Sequence, residues 1–63
     1  MNSLIINNIE YQGFKTERDK ILVLNQIYMV KKGIKDYVKL YYKDGKEVKL
    51  SKIHLDNANI IIE

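Results

Sequence analysis

Few residues in this chain could do chemistry, and their spacing restricts what they could do. His54 is the only histidine, and it stands between Ser51 and Asp56. These are the residue types of a nucleophile, base and acid. Triad members converge from separate elements, and near neighbours on one strand alternate sides, so these three are not expected to aim at one atom. His54 and Asp56 could place two ligands on one strand face. A zinc site needs about four ligands, no second cluster is present, and the chain has no cysteine. No glycine-rich phosphate loop occurs. The eight acidic residues are scattered singly, mostly beside lysines, and no acid–base pair stands out. The expectation is a non-enzymatic chain with no cofactor, no metal and no small-molecule substrate.

The residues suited to binding are tyrosines and lysines. Asp36 to Tyr42 and Lys46 to Leu50 alternate apolar and polar positions around Lys43-Asp44-Gly45. A two-residue turn would set Leu40 against Lys49 and mix charge into both faces. A three-residue loop with Gly45 left-handed pairs Tyr42 with Lys46, Leu40 with Val48 and Val38 with Leu50, which leaves one apolar face. The other face then carries Tyr37, Lys39 and Tyr41 across from Ser51, Lys49 and Glu47. Rings on a sheet stack on bases while lysine neutralises phosphate. The expected nucleic-acid or partner-binding residues are Tyr37, Lys39, Tyr41 and Lys49, with Lys31 and Lys32. The plainer account is that tyrosine is a good strand former and that Tyr-Lys alternation suits the wet face of a sheet. Lys39 and Lys49 oppose each other, which is mildly destabilising unless they splay apart.

A composition of 46% hydrophobic and 30% charged positions over 63 residues describes one small globular domain, residues 1–63. The formal charge of +3 permits contact with nucleic acid without requiring it. Arg18 is the only arginine. Since base-edge readout leans on arginine, contact with the backbone is the more natural mode. No apolar run reaches the length of a membrane span, and the first residues lack the features of a secretory signal, so a cytoplasmic setting without a membrane partner is expected. With no disulfide and no metal to staple it, a chain this small often relies on a second subunit.

The elements around the site are less uniform. Leu4-Ile5-Ile6 and Ile9-Glu10-Tyr11 flank Asn7-Asn8, a pair suited to a type I′ turn that sets Ile6 against Ile9 and Leu4 against Tyr11. Thr16 to Gly33 carries conflicting signals. Thr16-Glu17-Arg18-Asp19 resembles a helix cap, and Gly33 suits a helix end. Yet Ile21, Leu22, Val23, Leu24, Ile27, Tyr28, Met29 and Val30 fall all around a helical wheel, and four of the eight are β-branched. Two strands, Lys20–Leu24 and Ile27–Lys31, broken at Asn25-Gln26, are the expected arrangement, with a helix as the alternative. Ile60-Ile61-Ile62 points to both faces of a sheet, which suits a homodimer formed through this strand, or pairing with the first strand inside one chain. The expected fold is mostly β: a small antiparallel sheet or an SH3-like β-barrel of five to six short strands.

Two stretches resemble known families. Leu4 to Gly13, followed by Asp19 and Ile21 to Leu24, is similar to the first motif of Sm-like RNA-binding proteins. The N-terminal helix of that family is missing and the later hairpin differs from its second motif. Leu24 to Val30, Tyr37 to Leu40 and Lys43 to Glu47 resemble the core of LytTR DNA-binding domains, which are much longer. Each resemblance implies nucleic-acid binding, and neither assigns the chain to a family. A second class of function fits the same composition. The abundance of Lys, Ile, Asn and Tyr suggests an AT-rich genome, and a short chain of this kind suits a phage or mobile-element protein that binds a host protein and inhibits or redirects it.

Overall fold

Asn7 and Asn8, with φ of 51° and 69°, form the first turn. They join β1 (Asn2–Ile6) to β2 (Ile9–Phe14) in the expected register, Ile6 opposite Ile9 and Leu4 opposite Tyr11. Asparagine tolerates this left-handed backbone better than other non-glycine residues. The computed structural model describes residues 2–63 of the chain.

Glu17–Lys31 is one helix, α1, and not two strands. The Thr16 side chain accepts a hydrogen bond from the Asp19 N–H at 3.0 Å, which caps the first turn. Glu17 and Asp19 lie at the positive end of the helix dipole and Lys31 at the negative end. At the far end Gly33 takes φ of 82°, and the Gly33 and Ile34 N–H groups donate to the Val30 and Met29 carbonyls. The strand expectation assumed that a helix apolar on every side must be enclosed. In fact Val23, Ile27 and Val30 form a stripe against the core, while Ile21, Leu22 and Tyr28 stay 56%, 50% and 58% exposed. Helix propensity differs by only about 0.7 kcal/mol per residue among ordinary residues, so caps and one good stripe outweigh β-branching.

The second hairpin takes the register that its pattern requires. β3 (Tyr37–Tyr41) and β4 (Glu47–Ser51) pair antiparallel, with Val38 opposite Leu50, Lys39 opposite Lys49 and Leu40 opposite Val48. Gly45 sits at φ of 93°, and the Tyr42 N–H donates to the Lys46 carbonyl at 2.8 Å. A short helix, α2 (Lys52–Leu55), follows and drives Leu55 into the core. β5 (Ile60–Ile62) then returns beside β1, with Ile60 opposite Ile6 and Ile62 opposite Leu4.

The strands form one three-stranded sheet in the order β2-β1-β5 and one two-stranded sheet, β3-β4. Among the described residues a single bridge, Tyr11 to Tyr42, links them. The fold is therefore mostly β and antiparallel with five strands, and of the two forms expected it takes the open one. Leu4, Ile6 and Tyr11 from the larger sheet, Val38, Leu40 and Leu50 from the smaller, and Ile27, Val30 and Leu55 from the helices make the core. The helix α1 covers the inner face of β3–β4, which leaves the outer face bare. No helix among the described residues is long and apolar enough to cross a membrane.

Candidate functional site

The alternation of β3 sends Val38 and Leu40 inward and Tyr37, Lys39 and Tyr41 outward. Tyr37 and Tyr41 are each 43% exposed. Lys49 projects from the same face of β4, directly across from Lys39. The two ammonium groups resolve their repulsion by diverging. Lys49 Nζ sits 5.0 Å from the centre of the Tyr37 ring. Lys39 Nζ turns the other way, to 4.0 Å from a carboxylate oxygen of Glu47. A cation on an exposed ring contributes about 0.5–1 kcal/mol and an exposed ion pair about 0–1 kcal/mol. Both contacts are weak enough for a ligand to displace.

Four of the six expected residues, Tyr37, Lys39, Tyr41 and Lys49, thus share one sheet face. Lys31 and Lys32 do not join them. They lie at the end of α1, which packs on the inner side of the hairpin. Lys32 Nζ stands 5.4 Å from the centre of the Tyr28 ring, and the Lys31 carbonyl accepts a hydrogen bond from Lys52 Nζ at 2.9 Å. That lysine also pairs with Asp56 at 3.0 Å, so it ties the end of α1 to α2.

His54 lies in α2 and not on a strand. Its Nδ1 accepts from the Ser51 N–H at 3.2 Å and lies 3.1 Å from the Ser51 hydroxyl. The carboxylate of Asp56 is turned to Lys52 and does not orient the imidazole. The ring serves to cap the first turn of α2. No group of three potential metal ligands comes together among the described residues.

Where the two sheets meet, the Tyr11 and Tyr42 rings stack with centroids 5.4 Å apart. Burial, and secondarily the neighbouring Tyr42, raises the Tyr11 phenol above the ordinary tyrosine value of 10.0. Sequence reasoning missed two other surfaces because it placed strands where α1 lies. One is the outer side of α1. The other is a groove between α1 and the free edge of β3. Only the cap at Thr16 pointed toward either.

Compared with protein-family models, with curated proteins and with solved structures, the chain finds no match. Both stretches that resemble Sm-like and LytTR motifs run through α1, so residues that those motifs would place in strands are helical here.

Proposed function

We propose that the chain binds single-stranded nucleic acid through the outer face of β3–β4. The observation that carries this reading is the sharing of one helix-free sheet face by two half-exposed tyrosine rings and two lysines. Tyr37 and Tyr41 are four residues apart, about 13 Å along a strand, so each ring can take its own base. Lys39 and Lys49 stand between them to meet phosphate. With one arginine in the whole chain, recognition would depend on stacking and charge more than on base identity.

Anisotropy titration of labelled single- and double-stranded oligonucleotides at two salt concentrations tests this. Neutralising two phosphates on a single strand gives a salt slope of about −1.4, or roughly a sevenfold loss between 50 and 200 mM. The single strand should bind better than the duplex. Replacing Lys39 and Lys49 together by Glu should abolish binding, and removing either ring with Tyr37→Ala or Tyr41→Ala should cost about 1–3 kcal/mol. Affinity that ignores both salt and the double replacement would remove this face from the function.

A second reading rests on a different observation. Ile21 and Tyr28 lie seven residues apart on the outer side of α1, with Leu22 about 100° round the helix from Ile21, and all three are half-exposed or more. Exposed apolar side chains of this size can anchor a protein partner. A protein partner held there would survive nuclease treatment and be lost with Leu22→Lys. Retention of the same partner by Leu22→Lys would end this reading.

A further inference from the structure

Among the described residues, β3 is paired as a strand along one edge only. That edge pairs with β4, and the other meets β2 through the bridge at Tyr42. The parity of the pairing fixes which backbone groups face that open edge. The Tyr42 N–H donates to Lys46, so Leu40 and Val38 share its direction toward β4. The N–H and C=O groups of Tyr37 and Lys39 therefore point the opposite way, out of the hairpin. Exposed strand edges of this kind are templates for another strand.

The space beside this edge is already shaped. Two hollows, of about 360 and 370 Å³, meet at Lys39. One lies against Gln26 and Tyr37, the other against Asp19, Val23, Phe14 and Tyr41. Asp19, Val23 and Gln26 are spaced four and three residues apart, the spacing of one helix stripe. Tyr37, Lys39 and Tyr41 are spaced by two, the repeat of a strand. The groove thus runs between a helix and an unpaired strand edge, the arrangement in which extended peptides dock by adding a strand.

We infer that this groove receives an extended acidic–apolar peptide, which pairs its backbone with Tyr37 and Lys39 as a sixth strand. The backbone edge specifies an extended polypeptide, because only another strand supplies alternating donors and acceptors at that spacing. Phe14, Val23 and Leu40 give an apolar floor for every second side chain. Lys15, Lys35 and Lys39 outnumber Asp19 and Asp36 around the two hollows, and the exposed 4.0 Å contact of Lys39 with Glu47 is weak enough to yield, which leaves positive charge at the rim for the side chains between. The site uses the backbone edge of β3 rather than its ring face; the Tyr37, Lys39 and Tyr41 side chains border both, and dependence on backbone pairing separates the two readings.

The test uses the whole chain, isotopically labelled, and an acetylated hexapeptide of alternating valine and glutamate at about 1 mM. Amide shifts at residues 37–41 and 19–26, with slowed hydrogen exchange at Tyr37 and Lys39, are the expected result. A twin peptide N-methylated on every amide keeps its side chains but cannot donate a backbone hydrogen bond in either register. It should bind about tenfold more weakly. Gln26→Trp, which fills the groove, should remove binding. Equal affinity of the two peptides, shifts confined to other residues, or no shift at all would overturn the inference. The peptide comparison needs only the unaltered chain, so it decides the matter even if Gln26→Trp fails to fold.

Discussion

Tyr11 and the Lys39–Lys49 pair show how single residues take different roles in this fold. The Tyr11 phenol is buried against Tyr42, and burial favours its neutral form. The unfolded chain therefore loses this proton first as pH rises. Stability from Tyr11 is complete below the unfolded tyrosine value near 10.0 and is lost as pH climbs through the raised folded value. Melting temperatures taken from neutral to strongly alkaline pH should fall above that point, and Tyr11→Phe should fall less steeply. Parallel alkaline curves for the two proteins would contradict this. Lys39 and Lys49 were readable as opposed charges from the alternation of two short segments. What could not be read was their escape, one onto a ring and the other toward Glu47, because that depends on rotamers and not on register. His54 also escaped the reading, since its role as a cap depends on α2, which no periodic signal announced.

At the scale of elements, both hairpins were legible because turn chemistry and apolar pattern agreed. Asn7-Asn8 and Lys43-Asp44-Gly45 each allow one register that gathers the apolar residues on one face, and the structure takes it. The helix was illegible because its two signals disagreed. The cap at Thr16 is local and specific. The wheel of α1 carries apolar residues on every side, which argues against a helix only if all of them must be buried, and Ile21, Leu22 and Tyr28 stay outside. The cap should carry measurable weight: Thr16→Ala should lower stability by about 1 kcal/mol in chemical denaturation. Gly33→Ala should lower it by a similar amount, about 1 kcal/mol or more, because φ of 82° disfavours a side chain even where space is open. Leu22→Lys, by contrast, should change the isolated chain by less than about 0.5 kcal/mol. A large loss from Leu22→Lys would mean that the outer side of α1 is covered within the chain or by its copy.

For the whole molecule, the core is a meeting point of all seven elements, and Leu4, Val30, Val38 and Leu55 are fully enclosed there. Leu55→Ala should cost about 2–5 kcal/mol, a large share of what a domain this small commands. The Ile60-Ile61-Ile62 strand finds cover within the chain, where Ile60 and Ile62 pack on the core and Ile61 remains 39% exposed. Among the described residues its outer edge has no strand beside it, which leaves room for a second copy to pair there, and we expect a dimer at high concentration. Light scattering with and without Ile61→Lys measures this. A monomeric mass and a melting temperature independent of concentration would exclude it. The pairing of β5 with β1 also sets an order in time. Leu4 and Ile62 stand nearly the whole chain apart and yet face each other. Until β5 has been synthesised, β1 and β2 can form only a ribbon that is marginal in water. The larger sheet is completed last, after Ile62 has emerged, and closing so long a loop slows folding relative to a helical bundle of equal length. Until that moment the isoleucines and Leu4 are open to other chains, and the newborn protein is at its most vulnerable to aggregation.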